Sequence, residues 1–150
     1  MHKPTDLIEY ETMLLGRHSL ATRRSRREGG LLERSAYILL SRIRIEGPMS
    51  IRQLSEAFDL DPSTLNRQTS AMLRDGLVER IPDPAGGIAR KFRITAEGER
   101  RLDSERGQIT AGIDKIMSDW TAEEVEAFAS FLQRFNTDIE RLAGSPWPRP

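Results

Sequence analysis

The chain has 150 residues, with 23 Lys and Arg against 23 Asp and Glu and no cysteine. That length suits one domain, or one domain with a helical extension, and the missing cysteine excludes a disulfide framework, a thiolate metal site and a thiol redox switch. Zero net charge argues against a nucleic-acid binder, the opening MHKPTDLIEYE lacks a signal-peptide core, and no stretch approaches the roughly 18 apolar residues of a membrane span; the expectation is a cytoplasmic, helix-rich protein with no membrane partner.

Residues 5–26 read as a long helix. Leu7, Tyr10, Leu14, Arg17 and Ala21 recur at spacings of three and four, Met13, Leu15 and Leu20 widen the stripe, and Gly29-Gly30 stops it. A second helix covers about 31–46, with Leu32, Ala36, Leu39, Leu40 and Ile43 on one face and Gly47-Pro48 after it. Ser50 and Gln53 have capping-box spacing, in which each side chain satisfies a free backbone donor of the first turn. Ile51, Leu54, Ala57 and Phe58 form the inner face of the short helix that follows. After a turn at Asp59-Leu60, Asp61 is placed to cap a helix that Pro62 opens and that runs to about Asp75.

Over LVERIPDPAGGIARKFRIT, residues 77–95, the period changes from 3.6 to 2. Leu77, Glu79 and Ile81 alternate with Val78 and Arg80, and Phe92 and Ile94 repeat the alternation. This predicts a β-hairpin with a loop of about eight residues. Thr95 can cap a helix to about Ser118, although Gly98 in its first turn makes a weak start. Thr121 and Glu124 repeat the capping-box spacing. Val125, Phe128, Leu132, Phe135, Ile139 and Leu142 then keep a 3-4-3-4-3 pattern, an a/d seam almost three heptads long. The tail SPWPRP reads as extended or disordered.

The zero charge is a sum of unlike parts. Residues 1–16 carry one basic and three acidic groups, residues 17–101 carry 17 against 11, and residues 102–150 carry 5 against 9. Charges more than ~8 Å apart are largely screened, so a neutral chain can still present a cationic face. A solvated Arg-rich surface would show the same asymmetry. Of the 23 basic residues 20 are Arg, the cation suited to bidentate phosphate and guanine contacts.

On a wheel of 100° per residue, with Leu65 at 0°, Thr69, Leu73 and Met72 fall on one side of the helix from Pro62 to Asp75. Ser70, Ser63, Arg74 and Arg67 share a 60° sector opposite, with no carboxylate among them. An ordinary solvent face mixes Glu with Lys, whereas a face that enters a DNA groove avoids carboxylates. A short helix, a turn, a second helix with this donor face and a hairpin carrying Arg80, Arg90, Lys91 and Arg93 form a winged helix-turn-helix pattern.

PMSIRQLSEAFDLDPSTLNRQTSAMLRDGLVERIPD (48–83), leading into FRITAEGERRL (92–102), resembles the MarR-type winged-helix transcriptional regulators, over about residues 5–142. The family pattern appears as Ser63, Thr64 and Arg67, then Leu73, Gly76, Leu77, Val78, Glu79 and Arg80, then Ile94, Thr95 and Gly98. The resemblance implies a mainly α fold with a small β-hairpin wing and N- and C-terminal dimerisation helices. It implies one domain: a DNA-binding lobe at 31–101, a dimerisation region at 5–28 and 102–143, and a tail at 144–150. It departs at the wing tip, where Gly86, Gly87 and Ile88 replace an acidic-basic-basic motif whose arginine enters the minor groove.

On this reading double-stranded DNA is contacted by Ser63, Thr64, Asn66, Arg67 and Ser70 at bases and by Arg74, Arg90, Lys91 and Arg93 at phosphates, with Ser50 and Gln53 near the backbone. A two-fold dimer would read half-sites about 10 bp apart or a multiple of that. Its interface candidates are Leu7, Val125, Phe128, Leu132, Phe135, Ile139 and Leu142, although packing within one chain could use the same stripe. The resemblance further implies a pocket for an aromatic or amphipathic effector, with Tyr10, Met13, Leu14, Arg17, His18, Tyr37 and Ile113 as candidates by position. No cofactor, metal site or catalytic constellation is expected: the chain shows no Ser-His-Asp pattern, glycine-rich phosphate loop or metal-ligand spacing. The rival reading is a dimeric helical protein-interaction module without DNA binding.

Overall fold

In a computed structural model, described over residues 2–18 and 32–150, the periodic segments become helices α1 (Thr5–Leu15), α2 (Arg34–Glu46), α3 (Ile51–Phe58) and α4 (Pro62–Arg74). Strands β1 (Val78–Ile81) and β2 (Lys91–Ile94) follow, then α5 (Ala96–Ile116) and α6 (Ala122–Ala143). The fold is mainly helical, with one two-stranded antiparallel sheet, a winged helix-turn-helix.

The core lies between α2, α3, α4, the sheet and the start of α5. All five residues predicted for the inner face of α2 are buried, together with Leu54, Leu65, Met72, Leu77, Val78, Phe92 and Leu102. Thr69 is also buried, and its hydroxyl donates to the Leu65 carbonyl at 2.7 Å, so no polar group is left unsatisfied on the inner face of α4. Both capping boxes form. Ser50 N–H donates to Gln53 Oε1 at 2.9 Å while Gln53 N–H donates to Ser50 Oγ at 3.2 Å, and Thr121 and Glu124 reciprocate at 3.0 and 3.1 Å.

The strand register sets Val78 opposite Ile94, Glu79 opposite Arg93, Arg80 opposite Phe92 and Ile81 opposite Lys91. Met49 extends the sheet beyond the hairpin: its N–H donates to the Phe92 carbonyl at 3.1 Å, and Phe92 N–H donates back at 2.8 Å. At the start of α5, Thr95 Oγ1 accepts from Gly98 N–H at 3.0 Å. The residue that looked like a weak start is required there, because a Cβ on Gly98 would lie 2.2 Å from the Leu77 carbonyl oxygen.

Five expectations are corrected. The first helix ends at Leu15, followed by a turn at Gly16-Arg17. It contains no fully buried residue, so little packing offsets the poor helix propensity of Gly16; Leu20, Ala21 and the Gly29-Gly30 stop lie outside the described residues. Asp61 holds the N-cap position of α4, but its side chain makes no capping hydrogen bond. β1 does not alternate: Val78 is buried while Glu79 and Arg80 are both exposed, and opposite Arg80 the core contact is made by Phe92 of β2. The wing connection spans 82–90, somewhat longer than expected. The tail is not loose, since Trp147 packs on Phe58 with ring centroids 5.3 Å apart.

The two end helices stand apart from this core. Neither α1 nor α6 contains a buried residue. The a/d seam of α6 lies bare from Val125 to Leu142, the latter 81% exposed, and Leu7 of α1 is 63% exposed. Phe131, at 69%, widens the bare stripe beyond the predicted seam.

Candidate nucleic-acid interface

The core orients α4. Burial of Leu65, Thr69 and Met72 turns Ser63, Asn66, Arg67, Ser70 and Arg74 outward, with Thr64 half-buried at the edge. The turn before α4 is made by Asp59 in the left-handed conformation (φ 51°, ψ 48°), which Asp tolerates better than most residues. Among the described residues, Arg67, Arg74 and Arg90 form no salt bridge.

The other wing cations are engaged. Arg93 Nε donates to Glu79 Oε1 at 2.8 Å, and a second guanidinium nitrogen holds the same oxygen across the ladder. Lys91 Nζ lies 3.5 Å from Asp83 Oδ1, with both side chains largely covered. The guanidinium of Arg80 lies 5.7 Å from the Phe92 ring centroid. Asp83 organises the loop from below: Ala85 N–H donates to its carboxylate at 2.9 Å and Gly86 N–H to its carbonyl at 2.9 Å. The Ala85 hydrogen bond, then the Lys91 charge and a Gly87 hydrogen bond, hold its carboxyl below the usual aspartate value against an opposing desolvation effect. The tip so held presents Ile88 wholly to solvent.

Ser50 is buried, and its hydroxyl is occupied in the capping box. Gln53 is exposed and uses only its carbonyl oxygen there, which leaves its amide NH₂ group available. Thus the structure gathers Ser63, Asn66, Arg67, Ser70, Arg74, Gln53 and Arg90 as exposed donors, and it places Ser50, Lys91 and Arg93 in contacts of their own.

A cleft of about 470 Å³ lies behind α4. Leu32, Ala36, Ala71, Met72 and Leu77 supply apolar wall, while Arg67, Arg101, Glu33 and Asp75 bring charge. None of the seven residues predicted for an effector lines this cleft. Tyr10, Met13, Arg17 and His18 are exposed and Leu14 is half-buried. Tyr37 and Ile113 are half-buried, and the Tyr37 hydroxyl accepts from Arg106 Nε at 3.4 Å. The wheel placed Arg67 correctly on the outer face but carried no sign that its side chain also borders a cleft with Arg101. Only the juxtaposition of α2, α4 and α5 creates that border. Among the described residues no group of His, Asp and Glu is arranged to hold a metal ion, and no helix is long and apolar enough to cross a membrane.

A family model described as the MarR family matches residues 32–85. The uncharacterised HTH-type transcriptional regulator YxaD of Bacillus subtilis (strain 168) is 35% identical over 133 residues, 89% of this chain and 93% of that protein. Among solved structures, a MarR family protein from Bacillus stearothermophilus matches with a TM-score of 0.73 at 20% identity, over 93% of this chain and 99% of that one. A mutant MarR from E. coli in complex with operator DNA matches with a TM-score of 0.54 at 19% identity, over 69% of this chain and 75% of that one. With a relative this similar along nearly its whole length, the chain belongs to the MarR family of transcriptional regulators.

Proposed function

We propose that the protein is a homodimer that represses transcription in the cytoplasm from a near-palindromic operator and leaves the DNA when a small molecule enters the cleft behind α4. One observation carries the reading: α4 turns an exposed face with two arginines and no carboxylate outward, between a tight turn and a wing. Such a face suits a major groove, where Ser63, Thr64, Asn66, Arg67 and Ser70 would meet base edges. Arg74, Arg90 and the Gln53 amide would meet phosphates, with Lys91 and Arg93 as weaker contributors and Ser50 acting through the cap it gives α3.

The division of labour follows the fold. Residues 31–101 read DNA, while α1, the end of α5 and α6 pair with a second copy through Leu7 and the seam from Val125 to Leu142. A solvent-exposed apolar stripe of that length is what such pairing would cover. The cleft is of a size for a small amphipathic effector. Because Arg67 borders it, an occupant would compete with DNA for that side chain.

The test is a gel shift with purified protein on DNA from upstream of its own gene and on random duplex, over a range of salt. The expected result is a salt-dependent shift, at least ~10³-fold tighter on the operator than on random DNA. No shift at any duplex length or salt concentration would overturn the reading and leave a protein-interaction module in its place.

A further inference from the structure

The tail has no part in the functions assigned so far, yet it is held by several specific contacts. After α6 ends at Gly144, in the left-handed conformation (φ 75°), Ser145 N–H donates to the Glu140 carbonyl at 3.2 Å and turns the chain. Arg149 then donates two hydrogen bonds to the Glu140 carboxylate, at 2.7 and 3.0 Å, and one to the Trp147 carbonyl at 3.0 Å. Pro146, Pro148 and Pro150 fix their own φ, so little chain entropy is lost when the segment docks.

The contacts place the Trp147 indole against two helices of the DNA-reading lobe. Phe58, the last residue of α3, meets it edge-on with centroids 5.3 Å apart and planes at 87°. The guanidinium of Arg42, in α2, lies 4.7 Å from its ring centroid. Arg42 is buried, and its Nε lacks a hydrogen bond in the structure, with Glu46 3.5 Å away. An aromatic face over a desolvated cation partly replaces the missing water, and such contacts strengthen as solvent is excluded. Because α6 buries no residue of its own, its tail gives the lobe an attachment besides the turn that joins α5 to α6.

We infer that Trp147 is a positioning residue: the tail straps α2 and α3 to the end of α6 and thereby fixes the distance between the two α4 helices of a dimer. A strapped lobe would accept one half-site spacing, whereas a lobe hinged only at the α5–α6 turn would accept several. This inference rests on the dimeric DNA-binding reading above.

The experiment uses the full chain, with DNA selected by the wild-type protein from a random library and then rebuilt with spacers altered by one or two base pairs. The wild type should prefer its own spacing by ~10-fold or more. Trp147→Ala should flatten that preference to ~3-fold or less, and Trp147→Phe, which keeps a ring on Phe58, should restore part of it. Should Trp147→Ala melt early or lose its dimer, Arg149→Ala loosens the strap without altering the lobe and should flatten the preference likewise. A Trp120→Phe chain leaves Trp147 as the sole tryptophan, and its emission should shift to the red when Arg149→Ala is added. Undiminished spacing preference in folded Trp147→Ala or Arg149→Ala dimers, or an unshifted emission, would overturn the strap. If the wild type recovers no preferred DNA at all, the dimeric DNA-binding reading fails, and the strap's role in spacing fails with it.

Discussion

Two glycines on α5 should respond to alanine in opposite directions. Gly98 is buried in the first turn, and a Cβ there would stand 2.2 Å from the Leu77 carbonyl oxygen and 2.9 Å from Ile94 Cγ1. Gly107 lies further along the same helix and is exposed, and an added methyl there would meet no neighbour within 4 Å. Helix propensity alone favours alanine over glycine by ~1 kcal/mol in a helix interior. At Gly107 that gain should appear nearly whole, as a rise in stability of about 0.5–1 kcal/mol. At Gly98 the backbone of α5 must retreat from Leu77 by roughly 1 Å to reach ordinary contact, and overpacking of that kind costs about 1–3 kcal/mol. The strain outweighs the propensity because the obstacle is a backbone carbonyl, not the end of a flexible side chain. Set against the ~1 kcal/mol propensity gain, this strain leaves a net loss of about 1 kcal/mol, which for a chain of this length lowers Tm by roughly 2–4 °C. Urea and thermal unfolding of both variants at one protein concentration measure the two signs. A Gly98→Ala protein as stable as the wild type would refute the packing argument. A shared destabilisation at Gly107 would show that the helix responds to something other than that contact.

Arg67→Ala should weaken operator binding by about 1–3 kcal/mol and relax sequence choice while leaving random duplex nearly unaffected, as read by gel shift at fixed salt. Arg90→Ala should lower the salt slope by ~1, and Arg93→Ala by less, because Glu79 already holds the Arg93 guanidinium. Ile88→Arg should steepen the slope and tighten all DNA, since the held wing tip would then carry a cation towards the minor groove. Asp83 titrates below the ordinary aspartate value, chiefly because Ala85 N–H bonds its charged form. Its contribution to wing order is therefore complete above that ordinary value and is lost only as pH falls through the depressed one. Protection of the Ala85 amide in hydrogen exchange should persist at about pH 4 in the wild type and be absent at every pH in Asp83→Ala.

What the sequence made legible was local. Ser50 with Gln53 and Thr121 with Glu124 form their boxes because both partners lie within one helical turn, and no distant contact decides the outcome. The outward face of α4 was readable for the same reason, since a regular helix converts spacing directly into direction. Pairing between remote segments was not readable. The Met49–Phe92 bridge joins segments on either side of α3 and α4, and no periodicity in either one announces it. Arg93 read as a phosphate contact because its Glu79 partner depends on strand register, which the wing loop sets. Nothing in the sequence singled out Arg42, which is buried and lies under a tryptophan more than a hundred residues later. The motif Pro-Trp-Pro was the one available signal, a stiff segment with a single large aromatic anchor.

The bare stripe of α6 has a consequence for gene dosage. α6 contains no buried residue, so in the proposed dimer it would gain its tertiary support by association, and the stability of each copy would rise with the number of copies around it. When dimers are scarce, their number varies with the square of the chain concentration. Halving the chains would then cut the proposed dimers roughly fourfold, and operator occupancy would fall more steeply than protein level. A promoter controlled this way would respond to synthesis and dilution as a threshold, with the width of the apolar seam setting where that threshold lies.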